Sequence, residues 1–211
     1  PLDVARDYAC EDVHATWGLY QLWKDVENEP LGRVFALEME VLPILVNMEM
    51  KGIAIDSGRL QVLSKQFSER AANLQVDIFA SVGRVLNLGS PKQLRELLFG
   101  DLHLKPGKRV ASGPSTDSDV LEGLIDASPI IPMMLDYRKL TKLRNTYTDV
   151  LDPEHDGRIH GSFNQTGTAS GRLSSSKPNL QNIPAQTEDG KAVRRAFIAP
   201  PGYSLVAADF S

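Results

Sequence analysis

The sequence predicts an α+β protein with helices in its first three quarters and strands confined to its end. Three observations carry this. Apolar residues recur at intervals of three and four through several long stretches, as on amphipathic helices. Short polar residues and prolines stand where such helices should start, at Asp56-Ser57 and Ser90-Pro91. From Ile159 the period shortens to β-type runs joined by Gly and Pro.

Val13, Trp17, Tyr20, Leu22 and Trp23 outline a first helix, and Pro30-Leu-Gly is expected to break the run. A second helix follows through Phe35, Leu37, Met39, Leu42, Leu45, Val46 and Met48, ended by Lys51-Gly52. Ile53-Ala-Ile55 reads as a short strand. Asp56 or Ser57 then caps a long amphipathic helix to about Val82. Ser90 caps a shorter one, with Pro91 at its first position and Leu94, Leu97 and Leu98 on its apolar side. Residues 105–114, rich in Gly, Pro, Lys and Ser, predict a mobile loop. Ser115 or Thr116 is expected to cap another short helix, and a last long helix runs from Ile130 to about Val150. The expected strands are Ile159, Phe163, Ala196-Phe-Ile198 and Leu205 to Phe210, with a turn at Pro200-Pro-Gly202. No internal repeat is visible, and the residues up to about Glu29 look like the tail of a domain that begins earlier.

A chain of 211 residues can bury a sizeable core, as one domain or two small ones. With 42% hydrophobic and 24% charged residues it has the composition of an ordinary globular protein. No apolar run approaches the roughly 18 residues of a membrane span. The single Cys10 excludes an internal disulfide and fits a reducing compartment. Pro1 in place of an initiator Met sets the expectation that the sequence starts inside a longer protein. A net charge of −4 argues mildly against a nucleic-acid partner. The charge is unevenly spread, however. Acids dominate Glu11 to Glu49, whereas Arg138, Lys139, Lys142, Arg144, Arg172, Lys177, Lys191, Arg194 and Arg195 make the second half locally basic. Any one of these fits a solvated helix face, but the set adjoins an unusual polar stretch.

That stretch is Thr166 to Asn182. Gly167, Gly171 and a run of serines permit close backbone approach, and amides and Arg172 supply donors. Ser174-Ser-Ser176 alone reads equally as a flexible linker. In Asn179-Leu-Gln-Asn182 the amides interleave with Leu180 and Ile183, which would anchor the segment while the amides face outward. Amide and guanidinium donors suit the minor-groove acceptors, which lie in similar places for all base pairs, so they check pair geometry without reading sequence. Arg138 and Lys142 stand four apart on one helix face, a basic stripe that is either solvated or aimed at phosphate. Tyr8 and Asp12 also share a helix face; a carboxylate for a divalent metal and a phenol to orient water form a workable pair for phosphodiester hydrolysis, though Tyr and Asp at this spacing are usually structural. Asp209 is a lone acid closing an apolar run. P-loop, dinucleotide, Ser-His-Asp and zinc-ligand patterns are missing from the sequence.

The run Thr168-Ala-Ser-Gly-Arg172-Leu-Ser-Ser-Ser-Lys-Pro-Asn179-Leu-Gln-Asn182-Ile-Pro184, followed by Arg194-Arg-Ala-Phe-Ile198 and Val206-Ala-Ala-Asp209-Phe-Ser211, closely resembles the family A DNA polymerases. Tyr8-Ala-Cys-Glu-Asp12 is similar to the third motif of that family's 3′→5′ exonuclease. Asn47 to Asp56 resembles the entry to its polymerase domain, and Lys139 to Tyr147 its long thumb helix. The resemblance implies an exonuclease tail over residues 1–29, a palm-entry helix and helical thumb over 30–157, and the first antiparallel strands of the palm over 158–211. It also implies template-directed DNA synthesis in replication and repair, with primer-template duplex, dNTPs and Mg²⁺ as partners, no membrane, and a cytoplasmic, nucleoid-associated setting.

The same resemblance assigns roles to single residues. Asp209 would be the first of two palm aspartates holding the metal pair, with the Phe210 carbonyl as a further contact. Arg172 would donate into the minor groove at the primer terminus, Asn179, Gln181 and Asn182 would line the duplex beside it, and Thr168 would be a further DNA contact. Arg138, Lys142 and Arg144 would meet phosphates, with Arg194 and Arg195 as further DNA contacts. Tyr8 and Asp12 would serve the exonuclease, Asp12 as a metal ligand. Gln186 stands where many relatives carry Arg, and Phe210 where Tyr is commoner. The second palm aspartate and the fingers are expected downstream of Ser211, and two exonuclease motifs upstream of Pro1. The expected isolated chain therefore binds DNA but is inert as polymerase and exonuclease. The alternative is one half of a split polymerase, a DNA-binding and assembly module completed by the C-terminal remainder.

Overall fold

The structure is a computed structural model that describes residues 2–24, 29–111, 113–151, 153 and 155–209. It is a helix-rich mixed fold with a few short antiparallel strands. The chain divides into two compact units, residues 1–51 with 163–174, and residues 52–162 with 175–211.

The first unit contains two long helices, α1 (Leu2–Trp23) and α2 (Glu29–Lys51). The first helix ends at Trp23 and the second begins at Glu29, so Pro30 and Gly32 lie in the first turn of α2 rather than between the two helices. The reason is that the first-turn N–H groups have no acceptor within the helix, so proline forfeits nothing there. Pro43 sits deeper and leaves the Met39 carbonyl without its usual donor. Along α1 the side chains of Tyr8, Val13, Trp17, Leu22 and Trp23 are exposed, and on α2 Leu45 is buried. The Trp17 and Tyr20 rings lie 5.4 Å apart.

The second unit is built around α3 (Ser57–Val82) and α6 (Ile130–Leu143), which pack along much of their lengths. On α3 the buried residues Leu60, Leu63, Phe67, Ala71 and Ile78 follow the three-and-four spacing of one helix face. The Asp56 carboxylate caps α3 by accepting from the Arg59 N–H at 2.9 Å, and Gly83 ends it at φ +70°. Two apolar clusters result. One joins Leu63, Phe67, Leu140, Leu143 and Tyr147 to Ile159, Val193 and Phe197. The other joins Ile78 to Leu94, Leu97, Leu98, Leu121, Ile131 and Met134.

Ser90 and Pro91 open α4 (Pro91–Arg95) as expected, and a π-helical turn continues it through Glu96–Asp101. The expected loop over 105–114 contains a small hairpin, β2 (Arg109–Val110) against β3 (Gly113–Pro114). Ser115 and Thr116 do not cap the next helix. Both are buried, the Ser115 hydroxyl accepts from the Asp117 N–H at 3.1 Å, and Asp117 occupies the cap position of α5 (Ser118–Glu122). The expected helix from Ile130 to Val150 divides into α6 and a π-helical turn over Arg144–Thr148.

Strand β1 (Ile53–Ala54) pairs antiparallel with β4 (Arg158–Ile159), Ile53 opposite Ile159, and Ile55 bridges to Phe197. Between α2 and β1, Gly52 adopts φ +57°, and a Cβ there would stand 2.7 Å from the Ile159 carbonyl oxygen. Two further strands are β5 (Ser162–Asn164) and β6 (Ser174–Ser176), so the serine run is extended backbone. Helix α7 (Glu188–Arg194) has the Thr187 hydroxyl as its cap. The strand expected at Leu205 to Phe210 is absent among the described residues: after a turn closed by the Tyr203 N–H and the Pro200 carbonyl, residues 203–209 are exposed and lack a partner strand to complete their backbone hydrogen bonds. Phe210 lies outside the described residues. No described helix is long and apolar enough to cross a membrane.

Candidate nucleic-acid interface

In the second unit, the last turns of α6 and the segment 179–187 enclose a groove of about 850 Å³. Arg138, Lys139 and Lys142 line it from α6, Asn179 and Asn182 from the segment, with Asp136 and Glu122 as its acids. The groove thus sets cationic side chains opposite carboxamides, the two donor types suited to phosphate oxygens and base edges respectively.

The amide segment is held as its sequence implied. Leu180 and Ile183 pack against the apolar cluster, while Gln181 and Asn182 are exposed and Asn179 is partly so. Buried Ser175 clamps the turn before it, donating to the Pro178 carbonyl at 3.3 Å and accepting from the Leu180 N–H at 3.2 Å. The Asn179 side-chain oxygen accepts from the Gln181 N–H at 3.0 Å. At the floor, the Tyr147 hydroxyl donates to the Asn182 carbonyl. Burial pushes the Tyr147 phenol up, so it remains a donor at neutral pH. Helix α7 is tied to α3 and α6: Asp189 accepts from Arg70 of α3 at 2.6 and 3.2 Å and lies 3.7 Å from Lys139. Gly190 packs so closely on Pro184 that a Cβ would come within 2.6 Å of the proline ring.

The basic residues singled out in the sequence divide. Lys142 is exposed in the groove. Arg138 is half-buried and donates to the Thr116 carbonyl. Burial pushes its guanidinium down from the usual range against the pull of Asp117, and it stays charged. Arg144 turns away to pair with Asp149 at 2.8 Å, and its buried Nε has no hydrogen-bond partner among the described residues. Arg194 ends α7, exposed, and Arg195 lines a separate depression with Asp56 and Arg59.

Asp149 links α3 to the end of α6. Burial pushes its carboxyl up, but hydrogen bonds from Ser64, Arg144 and Thr148 and the charge of Arg144 outweigh this and leave it below the usual range. A depressed carboxyl contributes stability above its unfolded value of about 4 and loses it as pH falls through the folded value. Asp149→Asn should therefore flatten the fall in melting temperature below about pH 4; an acid profile identical to the parent chain would refute this.

In the first unit, Thr168 and Arg172 sit on a loop pinned to α2. The Phe163 N–H donates to Glu49 at 2.5 Å, and the Gln165 amide donates to the Glu38 carbonyl at 2.9 Å and to its carboxylate. Asn164 accepts from the Thr166 N–H at 2.9 Å, and the Thr168 hydroxyl donates to the Arg172 carbonyl at 2.7 Å. The Arg172 side chain is exposed. Tyr8 and Asp12 lie one turn apart on α1, both exposed. Asp209 is exposed on the irregular segment. Among the described residues no three His, Cys, Asp or Glu side chains converge where a metal ion could sit, so they do not by themselves fit a two-metal centre.

Sequence reasoning passed over Tyr147 and α7 as parts of the site. Tyr147 follows Leu140 and Leu143 at spacings of three and four, which places it on the buried stripe. Thr187-Glu-Asp is a helix-start signal, masked by the glycine that follows.

Residues 57–211 match the sequence model of DNA polymerase family A. The chain is 45% identical over 215 residues to DNA polymerase I of Treponema pallidum, covering 100% of this chain and 22% of that protein. It is 45% identical over 197 residues to the thermostable DNA polymerase I of Thermus aquaticus, covering 90% of this chain and 24% of that one. Its fold matches the POL domain of Pol1 from M. smegmatis, solved in complex with DNA primer-template and dNTP. The TM-score is 0.77 at 39% identity, over 84% of this chain and 33% of that one. The chain belongs to DNA polymerase family A. It spans less than a quarter of the length of these two relatives.

Proposed function

We propose that the chain is the duplex-gripping portion of a DNA polymerase I, which extends a primer on a template from dNTPs in replication and repair. The observation that carries this is the groove, where Lys142 and Arg138 of α6 stand opposite the carboxamides of Asn179 and Asn182. In this reading α3 to α6 form the thumb and residues 158–211 the beginning of the palm, while α1, with Tyr8 and Asp12, is the tail of a 3′→5′ exonuclease domain. Lys142 and Arg138 take phosphates, and Asn179, Gln181 and Asn182 take minor-groove acceptors. Arg172 meets the primer terminus, and Thr168, Arg194 and Arg195 are further DNA contacts. Arg144, committed to Asp149, acts by holding the end of α6. Asp209 would supply one carboxylate to a Mg²⁺ site, where the metal would activate the primer 3′-hydroxyl. Similarity to a polymerase domain solved with primer-template and dNTP supports the assignment of partners.

The test is binding of a fluorescent primer-template duplex to the chain across a range of salt concentrations. Removing one phosphate contact by Lys142→Ala should reduce the slope of log K against log salt by about 0.9, while Asn182→Ala should weaken binding at unchanged slope. Affinity and slope unaltered by both substitutions would sink the proposal.

A further inference from the structure

Tyr147 is 3% exposed, and its ring lies within the apolar cluster of Leu140, Leu143 and Phe67. A phenylalanine would satisfy all of that packing. The hydroxyl has a different task, because it reaches across to the backbone of a residue 35 positions later, donating to the Asn182 carbonyl.

We infer that Tyr147 is a positioning residue that fixes the carboxamide edge of the groove, an inference that rests on the groove being a duplex site. Residues 179–186 form no helix or strand, so a regular backbone ladder does not hold their amides in place. Leu180 and Ile183 supply apolar anchorage, which resists pulling the segment off the core but leaves rotation of individual peptide planes weakly opposed. A hydrogen bond to the Asn182 carbonyl fixes the plane that joins Asn182 to Ile183, and so restricts the direction in which the Asn182 side chain leaves the backbone. Side chains that check geometry must be held to within about 0.5 Å, and that constraint has to come from the residues behind them. Tyr147 stands on the π-helical turn that directly continues α6, so adjoining parts of the chain set the phosphate-facing charge of Lys142 and the carboxamide edge.

The test is a double-mutant cycle on the full chain, read as affinity for a matched primer-template duplex and for one with a mismatched pair at the primer end. Tyr147→Phe should weaken matched binding about fivefold, the effect of one ordinary hydrogen bond, leave the salt slope unchanged, and narrow the matched-to-mismatched ratio. In an Asn182→Ala background the same substitution should cost less than about twofold, because it acts through the side chain already removed. Equal losses in both backgrounds, or no loss where Asn182→Ala alone weakens binding, would overturn the inference and leave the groove reading standing. No effect of either Lys142→Ala or Asn182→Ala would remove the groove reading itself, and the inference with it. Amide hydrogen exchange on the unsubstituted, DNA-free chain gives a reading independent of any variant's folding. The Leu180 and Gln181 amides, which donate to Ser175 and Asn179, should already be protected; exchange there at open-loop rates would contradict a preset edge.

Discussion

Gly52→Ala is expected to lower the stability of the second unit by about 3 kcal/mol, or about 6–12 °C in melting temperature. Two costs combine. An L-residue at φ +57° costs about 1 kcal/mol relative to glycine. The new methyl would also stand 2.7 Å from the Ile159 carbonyl oxygen and 2.8 Å from the His160 ring. Ile159 cannot retreat cheaply, because it is paired with Ile53 in the β1–β4 ladder. Two other glycines separate the contributions. Gly83 has φ +70° with nothing near its missing Cβ, so Gly83→Ala reports the conformational cost alone. Gly58 lies in the first turn of α3 with only ordinary contact at 3.5 Å, and alanine there should be neutral or stabilising. A Gly52→Ala shift no larger than that of Gly83→Ala would refute the steric part.

Phe67→Ala should cost about 3–5 kcal/mol, read as a lower urea midpoint at unchanged slope. Phe67 is 2% exposed on α3 and belongs to the cluster that also holds Leu140, Leu143 and Tyr147. Removing the ring deletes its transfer free energy and leaves a cavity between two long helices, which cannot close on it without shifting the helix that carries Lys142. Val62 on the same helix is exposed, and Val62→Ala should move the midpoint by less than about 0.5 kcal/mol. A Phe67→Ala loss under about 1 kcal/mol would mean that the seam between α3 and α6 collapses freely.

The parts legible in the sequence were those whose signals are local. Asp56 and Ser90 mark helix starts by side-chain capping, and α3 keeps its apolar stripe from Leu60 to Ile78. The anchoring of Leu180 and Ile183 beneath outward amides was equally visible, because alternation of apolar and polar residues is a local pattern. The misses depend on distant partners. Leu205 to Asp209 has strand composition, but a strand needs a neighbour to take its backbone hydrogen bonds, and composition cannot supply one. Ser174–Ser176 reversed the error: weak strand formers became extended backbone. Arg144 and Lys142 look alike in sequence, yet Asp149 claims one and the groove the other, a distinction set by tertiary packing. Lys139 was legible as a charge but not as a neighbour of Asp189, fifty positions away.

Both tryptophans of the chain, Trp17 and Trp23, lie on α1, exposed and within the first unit. The second unit contains only tyrosine and phenylalanine among its aromatic residues. Light emitted on excitation at tryptophan wavelengths therefore originates entirely in α1. Where the two units unfold separately, a melting curve followed by that emission would pass over Gly52→Ala and Phe67→Ala alike, whereas far-ultraviolet circular dichroism, to which α3 and α6 of the second unit contribute, would register both. Run side by side on one sample, the two signals should come apart wherever the units unfold separately.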